Sequence, residues 1–164
     1  MYAFRPAGAD MHRPIIMSVY GSDIAVRLKR IYRHAERHGP NGWLVVALHG
    51  RRPAFVRCQF APPDKLMCKV SSGSYPSAGG EADRPSPVLT EALKGVGYWP
   101  DAHGQPVFEY EITPDSGVWG GAANVILSSL IEAFHARATS KIDIIAPLAQ
   151  ERDEAAIRRE MRGL

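Results

Sequence analysis

The chain contains no apolar run long enough to cross a bilayer. Its opening residues, MYAFRPAGADMHRPIIMSVY, lack the uninterrupted apolar stretch that a signal peptide needs. A cytoplasmic protein with no membrane partner is the expectation that follows. Cysteine is scarce, with only Cys58 and Cys68 among 164 residues. Two cysteines and no CxxC make neither a disulfide framework nor a redox motif, and they suit a reducing compartment. Both are expected as thiols that pack as small strand hydrophobes.

Catalytic signatures are missing as well. GVWGGAAN, residues 117–124, places glycines at the mouth of a helix, where phosphates bind in many nucleotide sites. It has no lysine to serve as a Walker loop, and its spacing is not GxGxxG. The reading is a helix opening in which Asp115 or Ser116 caps and the small residues let Trp119 and the backbone pack tightly. His34 and His38 are four apart, but Glu36 does not directly follow the first of them, as HExxH requires, and no third ligand is evident. No metal, no cofactor and no catalytic residue are therefore expected.

What is present has the length of one domain with a sizeable core. Gly21-Ser22-Asp23 has good capping chemistry and opens the first helix, with Ile24, Leu28, Ile31 and Ala35 at core spacing. His38-Gly39-Pro40 ends it. Trp43–Leu48, Ala54–Phe60 and Leu66–Val70 then form a strand meander. Turns punctuate it at His49–Pro53 and at Ala61-Pro62-Pro63-Asp64-Lys65. Setting Phe60 opposite Leu66 pairs Cys58 with Cys68 and Val56 with Val70.

After a Gly/Ser/Pro-rich loop, Ser86-Pro87 starts a second helix with Leu89, Ala92, Leu93 and Val96 inward. Val107–Ile112 alternates as a strand with one wet face. A long apolar helix follows over about 119–138, with Asn124, Ser128, Glu132 and His135 as its polar line. Ile142–Ala146 is a last strand. The fold class expected is α+β, a single antiparallel sheet with helices packed on it, in the order α-β-β-β-α-β(β)-α-β. Residues 1–20 read as an extension, 21–148 as the domain, and 149–164 as a charged helical tail bearing Ile157, Met161 and Leu164.

Three passages carry a resemblance. FVRCQFAPPDKLMCKVSSGSY looks like the hairpin of type III secretion chaperones and the related YbjN-like (TY-Chap) proteins. LKGVGYWPDAHGQPVFEYEI looks like their second-helix and turn passage, and AANVILSSLIEAF like their last helix. The resemblance spans roughly residues 22–146. It implies a bacterial, chaperone-like, non-enzymatic module, often a homodimer, that holds a partner polypeptide such as a secreted substrate, a toxin or a complex subunit. Those chaperones tend to be acidic, whereas this chain carries a net +3.

The charge is unevenly spread. Residues 1–60 hold 10 Lys/Arg against 3 Asp/Glu, giving +7, and residues 61–164 hold 10 against 14, giving −4. Arg27, Arg30, His34 and Arg37 fall on one helical face with Lys29 and Arg33 flanking, and Arg51, Arg52 and Arg57 follow in the adjoining hairpin. Arg27, Arg30, Arg33, Arg37, Arg51 and Arg52, with Ile157 and Met161, are the candidate partner-binding residues. They would steer an acidic protein or, in the alternative reading, make the chain a nucleic-acid-associated or defence-system accessory protein that grips phosphates.

Overall fold

A computed structural model describes residues 11–39, 42–49, 54–70, 87–100, 108–113 and 118–146, together with 159, 161 and 162. The elements are α1 (His12–His38), β1 (Trp43–Leu48), β2 (Ala54–Ala61), β3 (Lys65–Val70) and α2 (Pro87–Val96). After them come β4 (Trp99–Pro100), β5 (Phe108–Ile112), α3 (Val118–Glu132) and β6 (Ile142–Ile145). The strands form one sheet in the order β4-β5-β3-β2-β1-β6, every pair antiparallel. This is the α+β class and element order expected from the sequence.

Period-two alternation decides which side of the sheet is dry. Leu44, Val46, Val56, Cys58, Leu66, Cys68, Val70, Phe108 and Ile112 are all buried on one face. Ile24, Leu28 and Ile31 of α1 and Ile126, Leu127 and Leu130 of α3 close over them. The opposite face carries cross-strand ion pairs between Lys65 and Glu111 (2.8 Å) and between Lys69 and Glu109 (3.2 Å). The hydrogen bond to Glu111 raises the Lys65 ammonium above its ordinary pKa.

The hairpin register is the expected one, with Phe60 opposite Leu66, Cys58 opposite Cys68 and Val56 opposite Val70. The state of the cysteines is not. They are joined in a disulfide buried beneath the helices, which corrects the reading of two thiols. The same alternation that makes both cysteines core residues holds their side chains against each other. A disulfide is at odds with a reducing compartment, where such bonds are rare.

Helix α1 is the second correction. It begins at His12, with Met11 as its N-cap and no side-chain capping bond, so Gly21, Ser22 and Asp23 lie mid-helix. A cap sequence does not interrupt a helix whose earlier turn is buried by tertiary contacts, and Ile16 is 1% exposed. Asp23 spends its carboxylate on Arg27, one turn on, at 2.5 Å. Residues 12–20, assigned to an extension, are therefore part of the packed helix.

The other helix ends follow local rules. Gly39, at φ 92, closes α1 by donating its N–H to the Ala35 carbonyl. At the end of α2, Gly97 takes φ 120. There Tyr98 N–H reaches the Leu93 carbonyl (3.0 Å) and Gly97 N–H that of Lys94 (3.1 Å), a Schellman closure. This turn drives Tyr98 into the core, where burial pushes its phenol far above the usual range and nearby Ser129 pulls the other way. Helix α3 stops at Glu132, short of the expected 138, and His135 lies beyond it at φ 60. That removes His135 from the helical polar line.

Candidate functional site

A cleft of about 540 Å3 opens in the helix layer between α2 and α3, with Arg13 of α1 at its side. Its walls are Glu91, Ala92, Gly95 and Val96 on α2, and Gly121, Asn124, Val125, Ser128 and Glu132 on α3. The volume lies within the range of about 300–1,000 Å3 usual for ligand pockets.

The polar side of the cleft is a ladder one turn per rung. Asn124, Ser128 and Glu132 recur every four residues, so they stand in one row along α3. Arg13 binds across that row, with Nη1 donating to Ser128 Oγ and Nη2 to Glu132 Oε1, each at 2.5 Å. Ser128 donates in turn to Asn124 Oδ1 at 3.1 Å. A second tie lies nearby, where Ala138 N–H donates to His12 Nδ1 at 3.0 Å. The sequence showed the row on α3 but not its partner, because Arg13 lies 115 residues from Ser128. No local pattern links residues so far apart.

GVWGGAAN contributes one wall of this cleft. Trp119 packs on Tyr32, with ring centroids 5.6 Å apart, but tight packing does not explain the glycines. A Cβ built on Gly120 or Gly121 meets nothing within 4 Å, and both residues are exposed. The expectation that small residues allow close approach holds for Ala122 and Ala123, which are buried in the core, and not for Gly120 and Gly121. Asp115, Ser116 and Gly117, the expected cap and first glycine, lie outside the described residues. Gly121→Ala is expected to raise unfolding free energy by up to about 1 kcal/mol, the helix-propensity difference. A urea denaturation curve checks this, and a loss of stability would show that the space is needed within the fold.

Among the described residues, the basic side chains singled out from the sequence do not share one exposed face. Arg27 is 8% exposed and held by Asp23. Lys29, Arg30 and His34 are half-buried, while Arg33 and Arg37 are exposed. Arg57 projects from the other face of the sheet, away from α1, with its guanidinium 5.4 Å from the centroid of Trp43. Alternation explains this, since Val56 and Cys58 on either side of it point into the core. Arg51, Arg52 and Ile157 lie outside the described residues, and Met161 is a half-buried helical residue.

The two edges of the sheet differ. Among the described residues, the β4 edge is two residues long and contains Pro100, both of which discourage pairing. The β6 edge is Ile142-Asp143-Ile144-Ile145, with Ile145 48% exposed. Its one charge, Asp143, is engaged by His49. Beside it on the open face stand half-buried Trp43, Val45 and Ala47 of β1, with Val45 opposite Ile145.

No protein-family model matches the chain, and no characterised protein or solved structure shows significant similarity to it. Among the described residues, no helix is long and apolar enough to cross a membrane.

Proposed function

We propose that this chain is a non-enzymatic, chaperone-like protein-binding module that captures an extended segment of a partner polypeptide by strand addition at β6. The observation that carries the reading is the contrast between the two sheet edges, one blunted by length and proline, the other apolar and flanked by apolar residues of β1. Strand addition supplies main-chain hydrogen bonds along the edge, and alternate side chains of the incoming segment rest on the flanking surface. An edge whose carboxylate is already engaged by a neighbouring side chain opposes such pairing less than a bare one would.

The test is a lysine at the exposed end of the edge. Ile145→Lys changes a half-exposed position, so the melting temperature should hold within the small range typical of surface substitutions. Recovery of partner proteins by co-purification from the native cell should fall about tenfold, as a loss of about 1.4 kcal/mol in binding requires. Equal recovery by the lysine variant, or repeated purification of the chain alone, would count against strand capture.

A further inference from the structure

We propose that the cleft between α2 and α3 is a separate recognition site that takes an arginine side chain presented by a short peptide. It lies in the helix layer and goes beyond strand capture at β6. The wall of the cleft already shows what it recognises, because Ser128 and Glu132 hold the guanidinium of Arg13 at 2.5 Å each. Arg13 fills only part of the space, and about 540 Å3 remains open alongside it.

Charge points the same way. Among the described residues, the lining holds one cation, Arg13, and two carboxylates, Glu91 and Glu132, a sum of −1. Glu91 lies on the α2 wall, its side chain 77% exposed and loosely paired with Lys94 of the same helix at 3.9 Å. A second guanidinium entering between the walls meets the Glu91 carboxylate on one side and the acceptor-bearing ladder on the other. Carboxylate oxygens suit this fork of donors, each oxygen accepting more than one hydrogen bond.

The glycines account for the width. Gly95 and Gly121 line the cleft from facing helices, and a Cβ on either would meet nothing within 4 Å. Neither has a positive φ. Glycine in a helix costs roughly 1 kcal/mol relative to alanine, and neither backbone strain nor internal packing repays it here. Room for an incoming chain beside the two backbones gives that cost a function.

The test uses acetyl-Gly-Arg-Gly-amide against the isostere in which neutral citrulline replaces arginine, titrated into the isotopically labelled full chain and followed by amide shifts. The arginine peptide should shift residues of α2 and α3 to saturation, and the citrulline peptide should bind at least about tenfold more weakly, the loss of one charge-assisted contact. Glu91→Gln, a change at an exposed position, should weaken the arginine peptide about fivefold or more. Gly121→Leu should fill the cleft and abolish binding. Arg13→Ala should strengthen binding, because it removes both a competing guanidinium and a like charge.

Equal binding of the citrulline peptide would overturn the proposal, as would an affinity lowered by Arg13→Ala. So would the absence of shifts at about 10 mM peptide, the weak end of specific recognition. None of these results bears on partner recovery by the Ile145→Lys chain, so the two proposals fail separately.

Discussion

Replacing Cys58 and Cys68 together with alanine is expected to lower the unfolding free energy by about 3 kcal/mol. The bond closes a loop across a sequence separation of 10, and the chain-entropy estimate for a loop of that length is just under 3 kcal/mol. For a domain of this size, that corresponds to a fall in melting temperature of roughly 6–12 °C. Comparing the oxidised and reduced forms of the unchanged sequence isolates the bond from the loss of two small core side chains. Both cysteines are fully buried under α1 and α3, so a reductant reaches them only when the sheet opens. The folded chain should therefore resist alkylation in the presence of dithiothreitol and label at both positions at once when urea is added. Alkylation of the folded, untreated chain would show that the thiols are free. Trapping the chain inside its cell with an alkylating agent would then report the compartment, since a persistent disulfide marks an oxidising one.

The contrast between the register and the bond shows which information is local. Alternation on β2 and β3 decides that Val56, Cys58, Phe60, Leu66 and Val70 face inside, and the length of the proline-rich turn between the strands selects the register that sets Phe60 opposite Leu66. Pairing was therefore readable from the strands, as was the end of α1 at Gly39, where the backbone itself demands glycine. Oxidation state is not a property of pattern, and the small number of cysteines argued the wrong way.

The candidate site was less legible, because it depends on which surfaces meet. Asn124, Ser128 and Glu132 were visible as a row, yet a row of polar residues on a helix looks the same facing water or a cleft. Only the packing of α1 along α3 brings Arg13 onto it. The described arginines of the basic cluster are spread apart by the same dependence on packing. A helical wheel puts Arg27 beside Arg30 and Arg37, but Arg27 is buried and pairs with Asp23 one turn back on the same helix. Arg57 sits on a strand whose inward positions were read correctly, and that reading already implied that it points away from α1.

Ile16→Ala should cost about 3 kcal/mol, within the range of roughly 2–5 kcal/mol for large-to-alanine changes at buried sites. Ile16 is 1% exposed, whereas Val19, one turn further along the same helix, is 61% exposed. Val19→Ala should therefore change stability by no more than about 0.5 kcal/mol. The pair distinguishes two accounts of residues 12–20. If they are an appendage, neither substitution matters; if they are the first turns of a core helix, only Ile16 does. The larger effect should also reach the cleft. Ile16 lies one turn from Arg13, and the cavity left by alanine frees the helix end that carries the guanidinium to Ser128 and Glu132. Amide shifts of residues 124–132 should then move in Ile16→Ala and stay fixed in Val19→Ala. If they do not move, Arg13 is held to α3 by its own contacts and owes nothing to the packing of α1 beneath it.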